Sequence, residues 1–362
     1  MKKKYQSSKF KRFSAQRARS EDKARKRTKK RNRGSLTLPK PRQSREWTKP
    51  RIVTAPSLFS FTENPEKAIE FFTELDAAFA ETPSGKHVFI DLESVTKMTP
   101  EVIVVLISRI EEERSTNSRA SSGNVPRNNV ARDMLASSGF YEFVKTKHRV
   151  KKPSRGAIEK FGDHMVVAEM AARLIENVAK PLGMSTHQED GHQTTAVECM
   201  TNTREHASGH QSNRKGRKKW WFSVYRDPGN KVAQFAFVDL GIGIFVSLER
   251  QKPPWVVDLM AKLGSEKRTA ILKKLLTDQT GQTADKGLPI KKRTSTKEAH
   301  RGKGLPNIAR RNREKQTRRL RIISNNVFAN VEESQYLTLE QGFSGTIICW
   351  EHWTTDYERQ HD

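Results

Sequence analysis

The sequence predicts an α/β protein with two folded units behind a basic N-terminal arm, and three observations carry that reading. A chain of 362 residues exceeds the usual size of one domain. Strand-like runs and helical stripes follow one another closely between about residues 60 and 145, and again from about 158 onward. The charge is uneven: Met1 to Arg51 holds 21 Lys and Arg against three acids, which is +18 of the formal +27. The boundaries that follow are an arm over 1–55, a first unit over 56–146, a linker over 147–157 and a second unit over 158–362.

The arm is rich in Lys, Arg, Ser and Gln and poor in large aliphatic residues, so it cannot offset the entropy of ordering and is expected to be disordered. Its densest block, Lys23 to Arg33, suits contact with nucleic-acid phosphates through counterion release, or serves only as a solvated tail. Two cysteines, Cys199 and Cys349, lie far apart without neighbouring thiols, which suggests neither a disulfide framework nor a cysteine zinc site. No run approaches the ~20 apolar residues of a membrane span, and no apolar signal core follows the basic start. A soluble, cytoplasmic protein is expected.

In the first unit, Lys67 to Ala80 places Ala68, Ile69, Phe71, Phe72, Leu75, Ala78 and Phe79 on a helical stripe. His87 to Leu92 reads as a short strand that ends in Asp91. Pro100 to Ile110 reads as a buried helix begun by Thr99 as N-cap and Pro100 at the first helical position. Asn129 to Ser138 reads as a second helix closed by Gly139, before the apolar Phe140 to Val144. The stretches Val88 to Leu92, Val95 to Pro100 and Asn124 to Val144 resemble the STAS-like domain of anti-sigma-factor antagonists. In that family a serine in the loop before the helix is phosphorylated. Here the stretch reads Lys97-Met98-Thr99-Pro100-Glu101, so Thr99 is either an acceptor or a helix cap. The basic stretch Lys145 to Gly156, with Pro153 and Ser154, reads as the linker.

Three elements of the second unit carry chemistry. Glu198, Asn202 and His206 recur every four residues and share one face of a helix. Such a stripe can orient water, offer an amide oxygen to a hard cation and donate to phosphate, or be an ordinary exposed face. Val232 to Ile244 holds a strand that ends in Asp239-Leu-Gly241-Ile-Gly243. A carboxylate at a strand end can accept from an exocyclic amine, and the glycines let the chain turn close to a ligand. Arg301-Gly302-Lys303-Gly304-Leu305 precedes a basic helical segment expected to run through Arg321, and exposed N–H groups at a helix start suit phosphate. Lys291 to Lys303 adds six basic residues against one acid.

In order and spacing these elements resemble the N-box, the Asp-x-Gly-x-Gly box and the Gly-x-Gly-Leu box of the gyrase, chaperone, histidine kinase and MutL (GHKL) ATPases, and Gly345-Thr346 continues the match on a final strand, Gly345 to Trp350. The resemblance implies a Bergerat-type α/β sandwich, with helices on one face of a mixed sheet, and Mg2+ and ATP as ligands. It implies Glu198 as general base, Asn202 as magnesium ligand and Asp239 as adenine reader. Gly241, Gly243, Gly302, Gly304 and Leu305 would shape the pocket, Lys303 and His206 would lie near phosphate, and Thr346 would support the adenine site. The 58 residues between Gly243 and Gly302 imply a long lid with helical stretches near Trp255–Leu263 and Glu266–Leu276. His164, His187 and His192 are read as residues without a catalytic part, the last two in a loop.

Joining a STAS-like unit to such an ATPase resembles a fusion of anti-sigma-type kinase and antagonist. The leading expectation is an ATP-dependent regulator acting on a protein partner by slow hydrolysis or by transfer to a protein hydroxyl. The alternatives are an ATP-gated, DNA-associated homodimeric clamp and an ATP sensor without chemistry.

Overall fold

The order of strands and helices follows from where apolar side chains recur along the chain. The computed structural model describes residues 50–83, 87–117, 120–142, 166–206, 220–227, 231–251, 267–277 and 304–354. Residues 1–49 of the predicted arm, the linker, His164, the helix at Trp255–Leu263, Gly302 and Lys303 lie outside them, whereas the last residues assigned to the arm are folded: Arg51–Thr54 form a strand parallel to His87–Asp91, which buries Val53 and Ala55. The fold is mixed α/β, with parallel and antiparallel sheets.

The N-terminal part contains β1 (Arg51–Thr54), β2 (Leu58–Phe59), α1 (Pro65–Glu81), β3 (His87–Asp91), β4 (Lys97–Met98), α2 (Pro100–Asn117), β5 (Ala120–Gly123) and α3 (Asn129–Ser137). Parallel pairing orders one sheet β1-β3-β5, and β2 pairs with β4. The seven apolar residues of the α1 stripe are all buried. Asn128 caps α3 by accepting from the Ala131 N–H at 3.1 Å, and Gly139 follows it at φ 75°. Asp91 at the end of β3 is held by the Asn124 side-chain amide at 2.6 Å.

The C-terminal part contains α4 (Ala168–Leu182), α5 (Thr186–His206), β6 (Trp220–Asp227), β7 (Val232–Asp239), α6 (Ile244–Gln251), α7 (Lys267–Thr277), α8 (Gly304–Arg313), β8 (Arg318–Asn330) and β9 (Gln335–Trp353). The four described strands pair antiparallel in the order β6-β7-β9-β8. Every pairing in that sheet is antiparallel, where the GHKL resemblance implied a mixed sheet.

Cross-strand rows give the two faces of this sheet different partners. The row Phe222–Phe237–Ile348–Ile322 belongs to the core built with α4, α5, α7 and α8. The next row, Trp221–Val238–Ile347–Ile323, belongs to the core built with α1 and α2. Helices therefore cover both faces, whereas the resemblance implied one. Burial on both faces explains why β7 is apolar at nearly every position.

Helix α2 explains how the N-terminal part reaches the second face. Val102 to Ile107 are each at most 1% exposed, so the helix is apolar all round and must be covered all round. It packs on β5, on α1, and on β6 and β7. Each such side chain contributes roughly 1.5–3 kcal/mol relative to exposure. Residues Pro50–Asp362 form one compact unit accordingly.

Local differences from the sequence reading have identifiable causes. The basic helix expected through Arg321 stops at Arg313, because Lys315 adopts φ 59° and the Asn312 side chain donates to the Thr317 carbonyl at 3.0 Å. The chain then continues as β8. The final strand is far longer than Gly345–Trp350 and forms an extended hairpin with β8. His187 and His192 lie inside α5 rather than in a loop. Ser185 and Gln188 form a reciprocal capping box that starts this helix earlier, with Gln188 N–H donating to Ser185 Oγ at 3.3 Å and Ser185 N–H to Gln188 Oε1 at 2.9 Å. His192 is buried against Phe235 and accepts from the Trp350 indole at 3.1 Å. Burial holds it well below the ordinary imidazole range, and burial with Arg318 holds His352 at about 4. Among the described residues no helix is long and apolar enough to cross a membrane.

Candidate functional site

The site is built on one row of the antiparallel sheet. Beyond the apolar row at Phe237, the same face carries Trp220–Asp239–Thr346–Ser324, one residue from each of the four strands. Strand alternation turns these side chains toward the helical layer that holds α5 and α8. Asp239, Thr346 and Ser324 thus make this row polar where the next row on the same face is apolar.

Asp239 ends β7 and is 7% exposed. Its Oδ1 accepts from the Gly241 N–H at 2.8 Å, which bends the chain away from the strand. Thr346 is buried, with its hydroxyl 3.1 Å from that of Ser324. Gly345, which precedes Thr346 in β9, adopts φ 123°, and a Cβ there would lie 2.1 Å from the Asp239 carbonyl oxygen. Only glycine allows β7 and β9 to approach so closely at this point.

The Gly241-Ile242-Gly243-Ile244 turn is held from β8. Ser324 Oγ accepts from the Ile244 N–H at 2.8 Å, and Asn325 Oδ1 accepts from the Phe245 N–H at 3.2 Å. Asn325 also donates to the Ile242 carbonyl at 3.0 Å, from a left-handed conformation at a register shift in β8. Gly243 adopts φ 79°, and a Cβ there would lie 2.5 Å from Asn325 Oδ1. The first N–H groups of α6 are thereby capped by residues 80 positions away in sequence.

The helical wall comes from α5 and α8, which pack together. Glu198 Oε1 accepts from the Asn307 amide at 2.8 Å. Asn202 lies against the first residue of α8: a Cβ on Gly304 would meet Asn202 Oδ1 at 2.5 Å. Leu305 is half-buried in the adjoining core. The Cys199 thiol is pushed far up by burial, and the charges of Glu198 and Asp239 both add to that, so the two carboxylates border one small region. Both cysteines are free thiols in the core.

The structure thus brings together Glu198, Asn202, Gly304 and Leu305 on one wall and Asp239, Gly241, Gly243 and Thr346 on the floor. Gly302 and Lys303 lie outside the described residues, and so does the side chain of His206, which closes α5. Sequence reasoning missed Asn307, Ser324 and Asn325. Asn307 stood three residues after Gly304, in the first turn of the helix, and was readable as a polar residue facing α5. Ser324-Asn325 carries no local pattern, because its part depends on a bulge. Thr99 precedes α2, and its buried hydroxyl donates to the Glu101 carboxylate.

Among the described residues no group of three or more His, Cys, Asp or Glu side chains converges as a metal site. A cation beside Asn202 would therefore take most of its oxygens from a bound ligand and water, as a hard ion such as magnesium does. No protein-family model and no curated protein matches the chain, so residue chemistry and geometry carry the functional argument.

Proposed function

We propose that the chain is a Mg-ATP-binding regulatory protein of the GHKL type, preceded by a STAS-like segment, that uses nucleotide binding with hydrolysis or phosphoryl transfer to act on a protein partner. The observation that carries the reading is the polar row Asp239–Thr346–Ser324 facing the wall that holds Glu198 and Asn202. A buried strand-end carboxylate accepts from an exocyclic amine, and the neighbouring hydroxyls complete a hydrogen-bonding edge for a purine. The close approach at Gly345 gives that edge a backbone wall without side chains.

Phosphates directed from this floor toward α8 meet Asn202 at the helix start, where backbone N–H groups favour anions. Asn202 would hold magnesium through its amide oxygen, and the bound ion would neutralise charge on the transferring phosphoryl group. Glu198, oriented by Asn307, takes the proton of the attacking water or protein hydroxyl as general base. Lys303 and His206 belong to the phosphate end of the same reading.

Isothermal titration with Mg-ATP tests the reading. The parent binds, Asp239→Ala loses binding while its far-UV spectrum stays that of the parent, and Glu198→Gln keeps binding but loses turnover. Tight binding by folded Asp239→Ala would overturn the purine site. Undiminished turnover in Glu198→Gln would remove the base. Incubation with radiolabelled γ-phosphoryl ATP and candidate proteins separates transfer from hydrolysis.

A further inference from the structure

The side chain that joins the N-terminal part to the floor of the site is Arg109, on the last half of α2. It is 11% exposed and pairs with Asp76 of α1 at 3.3 Å. Its guanidinium also lies 5.5 Å over the Phe343 ring, and its Nη2 donates to the Ser344 carbonyl at 3.4 Å. Ser344 directly precedes Gly345 and Thr346, the two β9 residues that define the floor opposite Asp239. One planar group therefore ties two helices on the outer sheet face to the backbone of the nucleotide-facing row on the other.

The geometry points to Arg109 as a positioning residue that holds the Ser344–Thr346 backbone against Asp239 and so sets nucleotide affinity from the far side of the sheet. The inference rests on the nucleotide reading of that row. Ser344 and Gly345 fall in the register shift between the paired residues Phe343 and Thr346, and the Gly345 backbone lies so close to Asp239 that an added carbon would sit 2.1 Å from its carbonyl oxygen. As that register pairs Ser344 with no β8 residue, its bond to Arg109 is the contact that sets how Gly345 and Thr346 approach Asp239. Burial raises the Asp76 carboxyl above its ordinary range and the Arg109 charge opposes this, so Arg109 also stabilises the α1–α2 contact. That second task is the competing explanation for any effect of mutation.

Lysine separates the two tasks. It keeps a cation for Asp76, but the Asp76 and Ser344 contacts both start from Nη2 at the far tip of a guanidinium that lies over Phe343, and a shorter side chain without that plane does not hold the ring and reach the Ser344 carbonyl together. The experiment compares the full chain with Arg109→Lys and Arg109→Met by thermal melting, Mg-ATP titration and hydrogen exchange of the 343–346 amides without nucleotide. Expected is a near-parent melting temperature for Arg109→Lys, with faster exchange at 343–346 and ATP binding weakened on the order of tenfold in both variants, the scale of coupling between sites. Parent affinity in Arg109→Met, or affinity restored together with stability in Arg109→Lys, overturns the proposal and leaves the nucleotide site standing. No heat with the parent overturns the nucleotide reading and the effect on affinity with it. Unchanged exchange at 343–346 then removes the backbone strap as well.

Discussion

Glu101, in the first turn of α2, is a buried carboxylate surrounded by hydroxyls. Its Oε1 accepts from Ser60 and Thr62 at 3.4 Å each and from Thr99. Burial raises its carboxyl above the ordinary range, while the Thr99 hydrogen bond and the Arg321 charge act in the opposite direction. A raised native pKa means that the folded chain holds this proton more tightly than the unfolded chain. The contribution to stability is therefore complete below about pH 4.5 and is lost as pH rises through the native value. Glu101→Gln keeps the acceptor oxygen and stays neutral. It should raise the melting temperature at pH 7 by roughly 2–4 °C, the response of a large domain to about 1 kcal/mol, and the gain should vanish near pH 4. A constant difference across that range would show that charge is not the cause. Residues of this kind were half legible: Asp239 announced itself at a strand end before two glycines, whereas Glu101 looked like an ordinary acid in a first helical turn.

At the scale of elements, helices whose burial shows as a period were readable and elements defined by distant partners were not. The α1 stripe was readable because its apolar residues recur on one face. Helix α2 was readable as buried because it is apolar all round, but nothing local names the two sheets that enclose it. Leu106, fully buried there, tests that enclosure. Leu106→Ala should cost about 2–5 kcal/mol in urea unfolding, since packing on both sides limits collapse of the cavity. A cost below about 1 kcal/mol would mean that one side of α2 is open to relaxation. The length of β8 and β9 escaped notice for a related reason. Much of the β9 side of the hairpin outside the central sheet is polar or exposed, and what marks it as structured is Phe328, Leu339 and Phe343 in the core shared with α1 and Val327 and Ala329 in the core on the other face.

At the scale of the whole molecule, the segment resembling an antagonist shares a core with the sheet that carries the candidate site. Trp221, Val238, Ile323 and Ile347 lie in the same apolar cluster as Val53, Phe72, Val88 and Val104. Separate melting of the two parts would expose that cluster, so residues 50–142 and 166–354 should unfold together. Intrinsic fluorescence reports mainly the C-terminal part through Trp220, Trp221, Trp350 and Trp353, and far-UV circular dichroism reports both. The two probes should give coincident urea transitions. A dichroism change well before the fluorescence change would show that the N-terminal layers detach. Shared burial also gives the Arg109 contact its meaning, because a strap between independently moving parts could not hold Ser344 in place.

By itself the sequence determined that α1 and α2 are buried helices, where β7 ends in Asp239, and that Glu198 and Asn202 lie on one helix face. Each of these is a property of residues within a few turns or strand steps of one another, and local periodicity records them directly. Only the tertiary structure decided that Ser324 joins Asp239 and Thr346, that Asn325 caps a helix 80 residues away, and that α2 closes the second face of the sheet. A burial pattern states that a side chain is covered; strand register and layer packing across long sequence separations decide what covers it.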